Sequence, residues 1–238
     1  MKTHTSSEVS EFYNNYSVQQ KNLGVSVRHR IIYNNLLDLG LNSSSKVLEI
    51  GCGIGTVSSL IIKKVKEQGV FVGCDISDES INIANKNYGS KNVSFVCTNM
   101  SDFTHNEKFD FIIFPDVLEH IPVEQHKNLF EKVANVCHKG TKVLINIPHP
   151  DFLNWIRKNE PHLLQIIDQS LSMQDLLNNT YPNGFQLYSI EPYAIHTKEN
   201  NYFKVILVRD NEVKSKSIKS KLINFIFNFK YKLLTFIR

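Results

Sequence analysis

The chain has 238 residues, of which 42% are hydrophobic, enough for one large globular domain or for a domain with a cap. Its formal net charge of +4 is unevenly distributed. Residues 211–238 carry seven basic residues and one acidic residue, whereas residues 1–210 carry a net charge of −2. An acidic body without clustered basic residues disfavours a nucleic-acid-binding protein.

Targeting signals and cysteine usage set further bounds. The N-terminal segment lacks the apolar core of a signal peptide, and no run of about 18 uncharged apolar residues occurs, so we expect no spanning helix. Four widely spaced cysteines predict reduced thiols rather than disulfides or a zinc site. We therefore expect a cytoplasmic protein and no bound metal.

Short apolar strands alternate with helical patterns along most of the chain. The predicted helices are 27–41, 56–68, 78–88 and 124–137. The predicted strands are 46–50, 70–75, 93–97, 109–114 and 141–147. Such alternation is typical of βαβ units, in which helices cover both faces of a parallel sheet.

The C-terminal part departs from this alternation. Residues 150–183 have a helical pattern, and the segments 185–195 and 202–208 predict an antiparallel hairpin. The predicted fold is therefore α/β: a Rossmann-like, doubly wound, seven-stranded, mostly parallel sheet with a C-terminal antiparallel hairpin. We predict one domain over residues 1–210, with helical substrate-cap elements at 1–40 and 150–183.

The stretch VLEIGCGIGT places Gly51, Gly53 and Gly55 directly after the first predicted strand. Glycines at this point allow a tight turn before a helix and let a ligand approach the backbone. The sixth position is Thr56 rather than the glycine of a dinucleotide fingerprint, and the Gly-Lys-Ser/Thr of a phosphate-binding loop is absent. A nicotinamide dehydrogenase is therefore disfavoured.

Asp75 ends the second predicted strand, 24 residues after Gly51. A carboxylate at this position can accept hydrogen bonds from both hydroxyl groups of a ribose. The glycine turn and this acid together predict a site for an adenosine-containing ligand.

Four stretches in order, VLEIGCGIGT, VGCDIS, TNM and FDFIIFPDVLEHI, resemble the class I S-adenosylmethionine-dependent methyltransferases. The resemblance spans about residues 45–148 and is closest to the branch that methylates oxygen or nitrogen atoms of small molecules. It implies S-adenosyl-L-methionine as the cofactor. It also implies cofactor contacts at Tyr16, Glu49, Gly51, Gly53, Gly55, Asp75, Ile76, Asn99, Met100 and Asp116.

The resemblance also implies individual roles. The three glycines would cradle the methionine part and the adenosine, and Glu49 would organise the turn and the cofactor's ammonium. Asp75 would hold the ribose, while Ile76 and Met100 would flank the adenine. Asn99 stands where the family usually has an aspartate that binds the adenine amino group.

Other roles concern the reaction and the covering of the cofactor. Asp116 would begin the turn that faces the transferred methyl group. Tyr13 and Tyr16 match aromatic residues that close over the cofactor in this branch, although both could be packing residues.

Methyl transfer to a hydroxyl group benefits from a base that takes the proton. His149 and His120 follow the fifth and fourth predicted strands, whose carboxyl ends bind ligands in such sheets. We predict His149 as the general base and His120 as the second candidate, with Asp116 beside them. His120 could instead be a buried histidine that holds the loop, and His149 a turn residue. Arg28 is expected on a solvated helix face, with contact to an anionic substrate as the alternative.

The expected function is O-methylation of a small polar molecule, with a sugar or a glycan or lipid-linked biosynthetic intermediate favoured. One alternative is N-methylation of an amino sugar, in which Asp116 or Glu119 would orient the amine. Another is a catalytically idle, cofactor-binding partner subunit.

Residues 211–238 form a basic tail, and residues 217–238 have an amphipathic helical pattern. The pattern favours an interfacial helix on anionic lipid, which would place the protein at the inner face of the membrane. Packing within the chain or in a homo-oligomer is one alternative, and disorder is the other.

Overall fold

The computed structural model describes residues 4–101, 103–195 and 197–210. The basic tail and its predicted amphipathic helix lie outside these residues. All four cysteines are free thiols. Within the described ranges, no helix has the length and apolarity that crossing a bilayer requires.

Seven strands form one mixed sheet in the order β3-β2-β1-β4-β5-β7-β6. The strands β1 to β5 run parallel, whereas β7 pairs antiparallel with both β5 and β6. This arrangement confirms the predicted fold class, including the C-terminal hairpin. The strand bounds are β1 Lys46–Ile50, β2 Val70–Asp75, β3 Val93–Cys97, β4 Phe109–Pro115, β5 Cys137–Pro148, β6 Phe185–Tyr193 and β7 Tyr202–Arg209.

Helices cover both faces of the sheet and its carboxyl edge. The α-helices are α1 Ser6–Leu23, α2 Val27–Asp38, α3 Ser58–Ile62, α4 Asp78–Tyr88, α5 Val123–Asn135, α6 Pro150–Asn159 and α7 Met173–Thr180. Short 3₁₀ turns occur at Leu118–His120, Pro161–Leu163 and Tyr181–Asn183.

Side-chain caps fix several of these helix starts. The hydroxyl of Thr5 accepts the N–H of Glu8, whose carboxylate accepts the N–H of Thr5 in return. Ser77 caps α4 by accepting the N–H of Ser80. Such caps satisfy backbone donors that the first helical turn leaves unpaired.

The central strand β4 shows why the sheet needs helices on both faces. Ile112 and Phe114 belong to one core cluster, whereas Phe111 and Ile113 belong to the cluster on the opposite face. Because successive side chains of a strand point to opposite faces, an apolar run without alternation buries both.

The predicted helix over 56–68 is wrong in length, because α3 ends at Ile62. The chain turns there, and the N–H of Lys66 donates to the carbonyl of Ser43 instead of continuing the helix. Gly69 closes this turn, where a Cβ atom would lie 2.6 Å from the carbonyl oxygen of Ser45. Helical periodicity does not reveal this close backbone approach.

The strand order reverses between β1 and β4, which are neighbours in the sheet. The connections that leave these two strands therefore diverge and open a crevice at their carboxyl ends. The glycine turn leaves β1 and the acidic turn leaves β4, so the topology brings both to the same crevice.

Removal of a buried aromatic side chain should destabilise the fold. Phe130 is fully buried and packs against Phe114 and Phe185. We expect Phe130→Ala to lower the free energy of unfolding by about 3–5 kcal/mol in urea titrations. The control Tyr188→Ala, at a ring that is 67% exposed, should change it by less than about 0.5 kcal/mol. Equal effects of the two variants would contradict the assigned core.

Candidate functional site

The crevice contains a cavity of about 690 Å³, within the size range of small-molecule sites. Its lining comes from α1 and α2, from the turns after β1, β2, β3 and β4, and from the cap segment between α6 and α7. The cavity thus has a floor made of strand ends and a cover made of helical elements.

The turn after β1 excludes side chains. The φ angles of Gly51, Gly53 and Gly55 are 76°, 52° and 87°, all in the region that favours glycine. A Cβ atom on Gly51 would lie 2.5 Å from Cγ2 of Val117. Gly51 lines the cavity with its backbone, whereas Gly53 and Gly55 shape the turn without lining it.

The missing side chains of these two glycines leave room for neighbouring groups. A Cβ atom on Gly53 would lie 2.8 Å from Oε1 of Gln20, and one on Gly55 would lie 2.9 Å from the ring of Tyr88. In this structure both glycines support the turn, and their direct contact with a cofactor stays a prediction.

Asp75 ties the turn after β1 to the turn after β2. Its Oδ2 accepts the N–H of Gly53 at 2.7 Å, and its Oδ1 accepts the N–H of Ser77 at 2.9 Å. Burial raises the pKa of this carboxyl group, and the backbone donors oppose that rise. Asp75 also lines the cavity. Because each carboxylate oxygen has a second lone pair, ribose hydroxyls can still bind.

Glu49 has one satisfied and one unsatisfied oxygen. Ser58 donates to its Oε2 at 2.6 Å, while its Oε1 is buried with no hydrogen-bond partner. Burial raises the pKa of Glu49 to about 8. A buried acceptor without a donor is costly, so this oxygen suits a cationic or N–H group in the cavity, which Glu49 lines.

The predicted adenine contacts lie together at the turns after β2 and β3. Ile76, Asn99 and Met100 all line the cavity, and Met100 is buried with a φ angle of 68°. The amide oxygen of Asn99 accepts the N–H of Ser101 at 2.9 Å. Asn99 therefore uses one lone pair to shape its own turn and offers a purine its amide N–H and the remaining lone pair.

Helix α1 covers this end of the cavity. Ser10 donates to the carbonyl of Ile76 at 3.0 Å, and Ser77 donates to the amide oxygen of Asn14 at 2.6 Å. These bonds place Tyr13 and Tyr16 in the cavity wall. The hydroxyl group of Tyr13 is buried without a partner, and burial raises its pKa above the ordinary value.

The turn after β4 begins with Asp116 in a left-handed conformation, at a φ angle of 57°. Its Oδ2 lies 2.8 Å from Nε of Arg28, and its Oδ1 accepts the side-chain N–H of Asn146 at 2.6 Å. Arg28 also donates to the hydroxyl group of Tyr202 at 2.8 Å. The expectation that Arg28 lies on a solvated face is therefore wrong: it enters the cavity wall and neutralises Asp116.

The same turn also carries Glu119 and His120, which form a buried acid–base cluster with Asp168. Nδ1 of His120 donates to the carbonyl oxygen of Ile167 at 2.6 Å and lies 3.1 Å from Oδ1 of Asp168. Nε2 of His120 lies 3.9 Å from Oε1 of Glu119. Oε2 of Glu119 is buried without a hydrogen-bond partner.

Burial and neighbouring charges shift the pKa values of His120 and Glu119 from their ordinary values. Burial alone would lower the pKa of His120, but Glu119 and Asp168 outweigh it and raise that pKa to about 9. Burial raises the pKa of Glu119 to about 8, against the opposing effect of the His120 charge. The cluster therefore favours His120 as a cation, and Glu119 is its member that can hold a proton.

The structure corrects the prediction for His149. It is the N-cap residue of α6, where its Nδ1 accepts the N–H of Asp151 at 3.2 Å. Its ring packs on Phe203 with 4.4 Å between centroids. His149 does not line the cavity, although Pro148 and Leu153 on either side of it do. This placement argues against His149 as general base and leaves His120 as the histidine of the cluster.

The sequence patterns did not predict Asp168, and they gave Glu119 only the alternative role of orienting an amine. Glu119 stands in the DVLEH stretch, which already contained the predicted Asp116 and His120. Asp168 lies in the cap segment with no motif around it, and only the folded chain brings it to His120.

The residues present fit an adenosine-containing amino acid. The unpaired oxygen of Glu49 suits an ammonium group, the exposed backbone at Gly51 admits a close ligand, and Asp75 suits a ribose. Ile76 and Met100 offer an apolar surface to a purine. Among the described residues, no group of His, Cys, Asp and Glu is arranged to hold a metal ion.

Comparison with known proteins agrees with this assignment. Residues 47–140 match a family model described as a methyltransferase domain. The matched range runs from β1 into β5 and includes the turns after β1, β2, β3 and β4.

Two curated relatives illustrate the range of similar proteins. The chain is 33% identical over 129 residues to the phosphoethanolamine N-methyltransferase of Plasmodium falciparum, which is 50% of this chain and 46% of that protein. It is 31% identical over 101 residues to the malonyl-[acyl-carrier protein] O-methyltransferase of Priestia megaterium, covering 42% of this chain and 35% of that protein. The chain thus spans less than half the length of both relatives.

The fold is that of a solved magnesium protoporphyrin IX methyltransferase from Synechocystis PCC 6803 with bound SAH. The match has a TM-score of 0.64 at 17% identity and covers 86% of this chain and 99% of that chain.

Loss of the Asp75 carboxylate should weaken cofactor binding. We expect Asp75→Ala to raise the dissociation constant for S-adenosylhomocysteine at least about tenfold in calorimetric titrations, because it removes a charged acceptor and frees the Gly53 turn. The matched control Asp78→Ala changes an exposed acid in the first turn of α4 and should stay within about twofold. Wild-type affinity in Asp75→Ala would remove this residue from the site.

Glu49 should make cofactor binding dependent on pH. Its pKa of about 8 means that it is mostly protonated at pH 6, whereas an ammonium group requires the carboxylate. Affinity for S-adenosylhomocysteine should therefore rise about tenfold or more from about pH 6 to pH 8.5. Glu49→Gln should bind more weakly and flatten that profile. An unchanged slope in Glu49→Gln would assign the pH dependence to another group.

Proposed function

We propose that this chain is a class I S-adenosylmethionine-dependent methyltransferase that methylates an oxygen atom of a small molecule, with Glu119 as the proton acceptor. The favoured acceptor is a sugar or a glycan or lipid-linked biosynthetic intermediate. When bound, S-adenosylmethionine supplies an activated methyl group, so the tasks left to the chain are alignment, exclusion of water and removal of one proton.

The observation that carries the proposal is the unpaired Oε2 of Glu119. Glu119 is 2% exposed and lines the same cavity as Gly51 and Asp75. Val117 of the same turn packs directly over Gly51, where a Cβ atom would lie 2.5 Å away. The turn that carries Glu119 therefore lies against the turn that would hold the cofactor.

A hydroxyl acceptor in this cavity can donate its hydrogen bond to Oε2 of Glu119. As the new carbon–oxygen bond forms and the carbon–sulfur bond breaks, the hydroxyl proton passes to that carboxylate. His120 and Asp168 hold the cluster in place, and the charge of His120 limits the rise in the pKa of Glu119 that burial causes.

Several amide side chains in the wall agree with a polar acceptor. Gln125, Asn128 and Gln165 line the cavity, and Oε1 of Gln165 is buried without a partner. Amide groups of this kind bind the hydroxyl groups of a saccharide through paired donors and acceptors.

An amine acceptor is the second candidate. The acids Asp116, Glu119 and Asp168 outnumber the cations Arg28 and His120 in this part of the wall, so an amino sugar would meet net negative charge when Glu119 is ionised. The two curated relatives divide in the same way, since one is named an N-methyltransferase and the other an O-methyltransferase.

A screen with labelled S-adenosylmethionine would separate these functions. Candidate acceptors are nucleotide sugars, amino sugars and lipid-linked saccharides, with mass spectrometry of the product to locate the methyl group. A methyl ether supports the first proposal, and a methylamine supports the second. Cofactor binding without transfer to any acceptor would favour the idle partner subunit.

Glu119→Gln should separate proton removal from cofactor binding. We expect turnover to fall by about 10²- to 10⁴-fold, because an amide cannot take the proton, while affinity for S-adenosylhomocysteine stays within about threefold. Glu131→Gln, an exposed acid on α5, should retain wild-type turnover. Unchanged turnover in Glu119→Gln would exclude this residue as the base.

The basic tail supports a location at the membrane. Its amphipathic pattern over residues 217–238 carries the proposal that the enzyme is peripheral to a lipid surface at the cytoplasmic face. Truncation after residue 210 should reduce binding to anionic vesicles. Equal binding with and without the tail would contradict this role.

A further inference from the structure

Three aliphatic side chains are exposed where α1 meets α2. Leu23, Val25 and Val27 are 72%, 37% and 50% exposed. Clustered aliphatic side chains on a surface mark a contact with another apolar phase more often than isolated ones do. We call residues 21–30 the α1–α2 junction.

The junction lies at the mouth of the cavity. Leu23 and Gly24 both line the cavity, and because Leu23 is mostly exposed, it marks the edge where the cavity opens. Gly24, at a φ angle of 58°, ends α1 and turns the chain into α2. The turn places the three aliphatic side chains on one short segment where all three are exposed.

The sequence around the junction is basic. Residues 12–37 contain no Asp or Glu, whereas Lys21 and Arg30 are exposed at the two ends of the junction. Arg28 between them is already neutralised by Asp116. The exposed surface therefore combines aliphatic side chains with cationic flanks.

We infer that the α1–α2 junction docks on an anionic lipid bilayer, with Leu23, Val25 and Val27 entering the headgroup–acyl boundary. Aliphatic side chains flanked by Lys and Arg suit such a surface, because the chains enter the apolar phase and the cations meet anionic headgroups. A protein partner is less well matched, since Leu and Val are under-represented among the anchors of protein interfaces.

Docking in this way presents the mouth of the cavity to the bilayer. An acceptor carried on a lipid could then enter past Leu23 without crossing water, while its polar end reaches Glu119. This consequence rests on the proposed function, whereas docking itself does not.

The test places a fluorophore on the junction of the full-length chain. Cys97 is exposed and the other three cysteines are buried, so Cys97→Ser gives a background with no accessible thiol among the described residues. Val25→Cys on that background is labelled with nitrobenzoxadiazole, whose emission rises and shifts to the blue in an apolar phase. Tyr188→Cys, at an exposed position on β6, is the matched control.

We expect vesicles of phosphatidylglycerol and phosphatidylcholine to raise emission at position 25 several-fold, with a blue shift, and to leave position 188 unchanged. Phosphatidylcholine alone and high salt should reduce the response, because they remove the anionic attraction. Lys21→Gln with Arg30→Gln should reduce it as well.

Three results would overturn the inference. The first is vesicle binding of the chain in sedimentation without a response at position 25, which would assign all lipid contact to another segment. The second is an equal response at position 188. The third is a response that follows protein concentration rather than lipid, which would assign the junction to self-association. Because none of these readouts needs turnover, failure of the methyl-transfer proposal would leave the docking result intact.

Discussion

The contact between Gly51 and Val117 is the constraint on which the site depends. The turn after β1 and the turn after β4 approach so closely that a single Cβ atom at Gly51 would lie 2.5 Å from the valine. The positive φ angle of Gly51 makes this approach accessible to glycine and strained for other residues. Through it, the turn that would hold the cofactor and the turn that carries Glu119 share one wall.

Burial of carboxyl groups is the second organising feature. Glu49 and Glu119 are each almost fully buried with one unpaired oxygen, and burial raises the pKa of both to about 8. Such groups destabilise a protein unless a ligand satisfies them, so they are typical of functional sites. Here Glu49 would bind the cofactor and Glu119 would bind the acceptor. The free-energy cost of burying each unpaired carboxyl oxygen is therefore offset at a different step of the same reaction.

The sequence alone predicted the sheet well, because its strands are apolar runs bounded by polar turns. The bounds of β1, β2, β3 and α4 are those that the pattern predicts, and the cap at Ser77 explains the sharp start of α4. The length of α3 was not predictable, since beyond Ile62 the backbone of Lys66 approaches Ser43 and donates to its carbonyl oxygen. Helical periodicity reports which face is buried and carries no information on such an approach.

The site likewise has a part that local sequence predicts and a part that it does not. Most of the cofactor contacts that the motifs predict line one cavity, because these residues lie within a few positions of strand ends, whereas Gly53 and Gly55 do not line it. The acceptor side depends on contacts across the chain: Asp168 reaches His120 over 48 residues, and Arg28 reaches Asp116 over 88. His149 shows the converse error, since a histidine after a strand was predicted as a base and instead caps the next helix. Local spacing does not distinguish a side chain that faces a cavity from one that ends a helix.

A crystal structure of the complex with S-adenosylhomocysteine tests the shared wall most directly. We expect the sulfur atom to face Oε2 of Glu119 across a gap that admits one acceptor hydroxyl group, with the amino acid end of the ligand at Glu49 and its ribose at Asp75. A ligand whose sulfur faces away from Glu119, or is separated from it by the side chain of Val117, would contradict the assignment of Glu119 as the proton acceptor.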